Sequence, residues 1–102
     1  MAVTIVWTDE ATEDLRNIYD YYNIVAGFRV AENMVIDIVE SSFQLKTQPY
    51  GGQKEPLLKS RELEYRYIVA GNYKLIYQID KTNVYIASVF DCRQNPEKIQ
   101  NI

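Results

Sequence analysis

The sequence predicts an α+β domain of two layers, in which an α-helical hairpin packs against an antiparallel β-sheet in the order β-α-α-β-β-β. Three observations indicate this fold. Residues 9–48 place apolar side chains at spacings of three and four, as amphipathic helices do. Residues 63–90 alternate with a period of two and are rich in β-branched and aromatic residues, as strands are. The length of 102 residues suits one hydrophobic core, so we expect a single domain over 1–102.

The first half is predicted to contain a short strand and two helices. Residues 3–7 are mostly β-branched or aromatic, and Thr8 is a favourable N-cap for the helix that follows. The apolar stripe of this helix comprises Ala11, Leu15, Ile18, Tyr22 and Val25. Gly27 is a natural residue to end it, so a second helix from near Phe28 forms an antiparallel hairpin with the first. The buried face of the second helix comprises Ala31, Met34, Val35, Ile38, Ser42 and Leu45, before the stop signals at 48–52.

The second half is predicted to form a loop and three antiparallel strands. Residues 51–60 have the composition of a loop, which Pro56 interrupts. The first strand places Leu63, Tyr65, Tyr67 and Val69 on one side, and Glu64, Arg66 and Ile68 on the other. Tight turns lead to strands at 73–79 and 84–90, so the three form a meander. The tail from Asp91 carries turn residues and is expected to end in a short helical turn.

The composition excludes several kinds of chemistry. There is no histidine, which removes His-based triads and nearly every zinc site, and no Gly-rich phosphate loop or metal-ligand spacing occurs. We therefore predict no cofactor and no metal. A single cysteine, Cys92, excludes an internal disulfide. No apolar run approaches a membrane span and no signal-peptide pattern opens the chain, so we expect a cytoplasmic protein with no membrane partner.

The net charge of −3 is unevenly distributed. Residues 1–50 carry eight acidic and three basic side chains, a net charge of −5, whereas residues 51–102 carry six acidic and eight basic ones, a net charge of +2. Proteins that bind nucleic acid usually present a strong basic patch, so the overall acidity argues against an extended surface of that kind. We interpret the helical acids as a solvated face rather than as a catalytic carboxylate pair.

Several motifs, in this order along the chain, resemble the RelE/ParE superfamily of toxins. The helical hairpin is followed by Tyr65-Arg66, by Gly-Asn-Tyr-Lys-Leu-Ile-Tyr at 71–77, and by Val-Phe-Asp-Cys-Arg-Gln-Asn-Pro at 89–96. Positions 14–15 and 18–19 of the first helix also match the pattern, so the resemblance spans essentially the whole chain. It implies the toxin of a type II toxin–antitoxin pair, a growth inhibitor with a role in plasmid stabilisation, neutralised by an antitoxin encoded beside it.

The resemblance leaves two mechanisms open. RelE-like toxins cleave messenger RNA in the ribosomal A site, whereas ParE-like toxins are not nucleases and poison DNA gyrase. On the RelE-like alternative, Arg93 matches an arginine that would hold the phosphate, and Arg66 matches a second basic position; the other role for Arg66 is an ion pair across the sheet. The further candidates for nucleic-acid or target binding are Lys54, Lys59, Arg61 and Lys74.

Two departures favour the ParE-like branch. Val69 and Ala70 stand where RelE-like toxins place a catalytic basic residue, and no tyrosine or histidine follows Arg93 to act as the acid or base. Whether the protein is an enzyme depends on this choice, and a decayed toxin that binds only its antitoxin is a third alternative.

The resemblance also implies a surface for the antitoxin. We predict an amphipathic partner helix in an apolar groove, with the aromatic side chains of Tyr21 and Phe28 as anchors because they lie off the main stripe. Without its antitoxin, a chain with such a surface is expected to self-associate, so a homodimer is an alternative state.

Overall fold

A computed structural model describes residues 3–102 and shows seven main elements. They are β1 (Thr4–Trp7), α1 (Asp9–Ala26), α2 (Phe28–Ser41), β2 (Gln53–Lys54), β3 (Tyr65–Ala70), β4 (Tyr73–Asp80) and β5 (Asn83–Asp91). Short 3-10 helices lie at Ser42–Lys46, Pro56–Leu58 and Pro96–Asn101. The prediction of one domain over 1–102 includes Met1 and Ala2, which lie outside the described residues.

The five strands form one sheet in the order β1-β5-β4-β3-β2. Strands β2 to β5 pair antiparallel, which confirms the predicted meander and the two-layer α+β class. Strand β1 corrects the expectation of a wholly antiparallel sheet, because it runs parallel to β5, with Thr4 opposite Asn83 and Trp7 opposite Ile86. Parallel neighbours need a long crossover, and here the whole intervening chain provides it.

The helix boundaries follow local signals in the sequence. The Thr8 Oγ1 atom accepts a hydrogen bond from the Ala11 amide and donates one to the Ile86 carbonyl at 2.7 Å, so the N-cap of α1 is also tied to β5. Gly27 is the single residue between the helices and has φ 94°, which favours glycine. Helix α2 ends at Ser41, earlier than predicted, because the Ser41 and Ser42 hydroxyls each donate to a carbonyl three residues back.

The main core lies between the sheet and the hairpin. Its buried residues are Ala11, Ile38, Leu45, Ile68, Tyr73, Leu75, Tyr77, Val84, Ile86 and Val89. The predicted stripe of α1 enters this core at Leu15 and Ile18 but leaves it before the helix ends. Val25 was predicted to be buried and is 58% exposed, because the last turn of α1 lies outside the core.

The opposite face of the sheet is also covered. Leu58, Ile76 and Ile99 are buried there, so the 3-10 helices at Pro56–Leu58 and Pro96–Asn101 close the second face. Residues 51–60 therefore contain β2 and a 3-10 turn, where the sequence predicted only a loop. Tyr65 and Tyr67 pack on this second face, whereas Leu63 precedes β3 and is exposed.

No helix within residues 3–102 is long and apolar enough to cross a membrane.

Candidate functional site

An open cleft of about 530 Å³ separates the middle of α1 from the end of β5. Helix α1 contributes Asp14, Tyr21 and Tyr22, and the strand end contributes Asp91 and Arg93. The cleft thus brings a predicted antitoxin anchor and a predicted phosphate-binding residue, Tyr21 and Arg93, into the same space. Their sequence separation is large, so only the packing of α1 against β5 joins them.

The guanidinium of Arg93 is held by the carboxylate of Asp91. The Arg93 Nη2 and Nε atoms lie 2.8 and 2.9 Å from the two Asp91 oxygens, and the Arg93 amide also donates to Asp91. This pairing lowers the pKa of Asp91 and raises the pKa of Arg93. The residue predicted to hold a phosphate therefore already has a bidentate anionic partner.

Tyr22 supplies a hydroxyl to the same cluster. Its Oη atom accepts a hydrogen bond from Arg93 Nη2 at 3.3 Å, and this bond, followed by one with Tyr73, lowers the pKa of Tyr22. Burial raises the pKa of Tyr73, and its interaction with Tyr22 adds to the increase. The sequence assigned Tyr22 to the apolar stripe, and no local signal indicated that β5 would end beside it.

Asp14 joins α1 to β5 beside an irregularity in the strand. The β4–β5 register passes from Ile76–Ser88 to Tyr77–Ile86, so Ala87 has no opposite residue. The Asp14 Oδ2 atom accepts hydrogen bonds from the Val89 amide at 2.9 Å and from the Ser88 hydroxyl at 3.1 Å. Burial raises the pKa of Asp14, and these two hydrogen bonds oppose the increase.

We expect Asp14→Ala to destabilise the fold by about 1–3 kcal/mol, because the Val89 amide loses its acceptor in a half-buried place. Asp14→Asn retains an acceptor oxygen and should be tolerated. Since the pKa of Asp14 is raised above 3.8, the side chain stabilises the fold below that pH, and this contribution is lost as the pH rises through the raised pKa. Urea unfolding should therefore show the Asn variant gaining stability over the wild type as the pH rises. A pH-independent difference would contradict this assignment.

Arg66 is a structural clamp in this fold. Its Nη1 atom donates to the Gly52 carbonyl at 2.9 Å and to the Tyr50 carbonyl at 3.4 Å, and its Nε atom lies 3.0 Å from Glu64. The guanidinium also stands 5.2 Å from the centre of the Tyr50 ring. Only 17% of the Arg66 side chain is exposed, so it is poorly placed to meet a phosphate.

The two predicted catalytic arginines are not brought together. Arg66 pairs with Tyr77 of β4, whereas Asp91, two residues before Arg93, pairs with Tyr73. Tyr73 and Tyr77 are four positions apart along β4, which corresponds to about 13 Å. Arg66 and Arg93 therefore belong to different parts of the surface.

Lys74 is also engaged within the fold. Its Nζ atom lies 3.3 Å from Oε2 of Glu55, whose side chain is fully buried, and 4.2 Å from the centre of the Tyr67 ring. This contact explains why an acidic side chain is tolerated inside the loop before β3. Lys74 thus neutralises an internal charge rather than extending from the sheet.

The other predicted cations are dispersed over the surface. Lys54 lies 3.3 Å from Glu64, and Arg61 donates to the carbonyl of Gln100 at 2.8 Å. Lys59 is exposed and forms no ion pair with any residue in the range 3–102. Together with Arg66, Lys74 and Arg93, they form no continuous basic surface around the cleft.

The predicted antitoxin anchors are both exposed. Tyr21 is 59% and Phe28 57% exposed, and the Tyr21 ring meets the Tyr22 ring edge-on at 5.0 Å between centroids. Tyr21 lines the cleft, while Phe28 begins α2 beyond Gly27. Within residues 3–102, no three acidic or cysteine side chains are grouped as metal ligands would be.

Comparisons with known proteins place this geometry in a family. No curated protein matches the chain. A solved structure described as the chromosomal ParDE TA system from P. aeruginosa has the same fold, with a TM-score of 0.75 and 24% identity over 88% of this chain and 96% of that chain. A family profile described as the ParE toxin of the type II toxin–antitoxin system parDE matches residues 5–96. The predicted RelE/ParE resemblance is thereby confirmed, and the chain belongs to the ParE toxin family.

Proposed function

We propose that this toxin inhibits growth by binding DNA gyrase rather than by cleaving RNA, and that an antitoxin encoded beside it neutralises it. The toxin acts as a single domain in the cytoplasm, where gyrase works. One observation carries the proposal. The Asp91 carboxylate binds the Arg93 guanidinium through both of its oxygens and offsets its positive charge.

Cleavage of RNA requires a cation where charge develops on the phosphate. Within residues 3–102, Arg93 is the one cation that lines the cleft, and the carboxylates of Asp91 and Asp14 line it too, so a phosphodiester would meet a net negative charge. A second cation would offset this, but Arg66 is committed to the loop around Gly52. These contacts support a toxin that acts by binding a protein.

RNA cleavage is the second candidate function, and one contact favours it. Tyr22 provides a hydroxyl beside Arg93 with a lowered pKa, which is the kind of group that exchanges protons with a reacting oxygen. Helix α1 would then supply the tyrosine that is absent after Arg93. RNA cleavage would need this hydroxyl, whereas inhibition of gyrase would not.

The test is to label DNA and protein synthesis within minutes of inducing the toxin without its antitoxin. We expect thymidine incorporation to fall first, while amino-acid incorporation continues. Tyr22→Phe should leave this inhibition unchanged, because it removes only the hydroxyl, and Tyr21→Phe is the matched control on the neighbouring ring. With purified gyrase, the toxin should inhibit supercoiling and increase the amount of cleaved DNA.

A different order of events would overturn the proposal. If protein synthesis falls first, and Tyr22→Phe or Arg93→Ala abolishes the fall while Tyr21→Phe does not, the cleft cleaves RNA. If neither synthesis falls although the folded protein binds the neighbouring gene product, the chain is a decayed toxin that only binds its antitoxin.

A further inference from the structure

We infer that the partner segment covering the tip of the helical hairpin is an amphipathic helix with a lysine- and arginine-rich polar face, and that one of its cations enters the cleft beside Asp14. Here the hairpin tip means Tyr21, Ile24, Val25 and Phe28. This inference rests on the proposed function in one respect, because it describes the antitoxin as the partner.

The hairpin tip is an apolar surface with no cover within the described chain. Ile24 is 84% exposed, and the other three side chains are each more than half exposed. Tyr21, Ile24 and Val25 share one face of α1 by their spacing, and Gly27 turns the chain so that Phe28 follows directly. A surface of this kind fits the apolar ridge of a helix, which repeats every three or four residues.

The charge of helices α1 and α2 indicates what kind of partner helix would bind them. Helices α1 and α2 carry eight acidic and two basic side chains, a net charge of −6. The acidic ones are Asp9, Glu10, Glu13, Asp14, Asp20, Glu32, Asp37 and Glu40. These charges are not evenly placed: Arg29 follows Phe28 directly at the tip, whereas Glu10 and Glu13 lie near Asp14 on α1. A basic polar face would therefore be attracted toward the Asp14 end of α1, whereas a second copy of the chain would bring the same net negative charge against it.

Asp14 offers a specific place for one cation. Its Oδ2 atom already accepts two hydrogen bonds, but Oδ1 accepts none from residues 3–102. The carboxylate lines the same cleft as Tyr21, which lies two helical turns further along α1, so the cleft leads from Asp14 toward the apolar surface. Among the described residues that line the cleft, Arg93 is the only cation, and it is paired with Asp91. Glu10 and Glu13 of the same helix further disfavour the charged form of Asp14, which an ammonium or guanidinium group would stabilise.

The experiment compares two helical peptides with the same leucine face, one with lysine and one with glutamate on the polar face. Fluorescence anisotropy of the labelled peptides should show the lysine peptide binding the purified toxin at least about tenfold more tightly. Asp14→Asn should weaken this binding about fivefold, as the loss of one partly desolvated ion pair would. Asp37→Asn removes the same charge from an exposed position of α2 outside the cleft, and it should change the Kd less than about twofold. Phe28→Ser should weaken the binding of both peptides.

Two results would overturn the inference: equal binding of the two peptides, or equal effects of Asp14→Asn and Asp37→Asn. Experiments with the protein encoded beside the toxin distinguish a failure of this inference from a failure of the proposed function. If that protein restores growth and binds the Asp14→Asn variant as tightly as the wild type, the function stands and the inference fails. If the peptides are distinguished as expected but the toxin does not inhibit DNA synthesis, the docking surface stands and the proposed function fails.

Discussion

Replacing Gly52 with alanine is expected to destabilise the fold by about 3 kcal/mol, through overpacking at a place where the surroundings cannot yield. A Cβ atom at this position would lie 2.5 Å from the Tyr77 hydroxyl oxygen and 2.6 Å from the backbone oxygen of Tyr67. Tyr77 is fully buried, and its hydroxyl donates to the Pro49 carbonyl at 2.7 Å and accepts the Gly52 amide at 3.0 Å. The added methyl group would therefore break hydrogen bonds or move β3.

Urea unfolding followed by far-UV circular dichroism measures this effect. Gly51→Ala is the matched control, because the same methyl group one residue earlier is exposed and its closest contact is the Gln48 carbonyl at 3.0 Å. The control should lose no more than about 1 kcal/mol. Equal losses in the two variants would show that Tyr77 does not hold the loop as described.

The sequence predicted the elements whose signals are local. Thr8 and Gly27 define the ends of α1 through an N-cap hydrogen bond and a positive φ, and both act within a few residues of themselves. The parallel pairing of β1 with β5 was not predictable in this way, because periodicity identifies a strand but not its neighbour. The second apolar face was missed for the same reason, since Leu58 and Ile99 reach it from loop-like segments.

The candidate site, like the fold, could be predicted from the sequence only where the signal was local. Arg93 was a candidate because the resemblance matches it to a phosphate-holding arginine, and it does line the cleft beside α1. Asp14 and Tyr22 entered the predictions as a helical acid and a core residue, because their partners Val89 and Arg93 lie more than seventy residues away in the sequence. Only the packing of α1 on β5 gives these side chains a shared location.

The charge of a residue indicated its role less well than its contacts in the fold do. A surface arginine or lysine and a structural one have the same letter in the sequence, and burial distinguishes them. Arg66 and Lys74 were candidates for binding a target, yet both side chains are largely buried against acceptors of the fold. Their substitution is therefore expected to lower stability before it affects any target.

The buried pair of Glu55 and Lys74 should show this most strongly. The Glu55 carboxylate is fully buried; its Oε2 atom meets Lys74, and its Oε1 atom accepts the Leu57 amide at the start of the Pro56–Leu58 helix. Lys74→Met leaves this carboxylate without a cation, which should cost about 3–5 kcal/mol. Glu55→Gln should cost about 1–2 kcal/mol, because the 23% exposed Lys74 side chain can turn toward water and the amide oxygen can still accept from Leu57.

The double variant separates the loss of the pair from the isolation of a charge. Because Glu55→Gln together with Lys74→Met removes both ions of this pair, we expect it to be more stable than Lys74→Met alone by about 2 kcal/mol in urea unfolding. Growth inhibition by Lys74→Met and by the double variant should follow the folded fraction rather than the charge at position 74. If the double variant loses as much stability as the two single variants together, Glu55 and Lys74 do not interact. A folded Lys74→Met protein that no longer inhibits growth would return Lys74 to the target-binding surface.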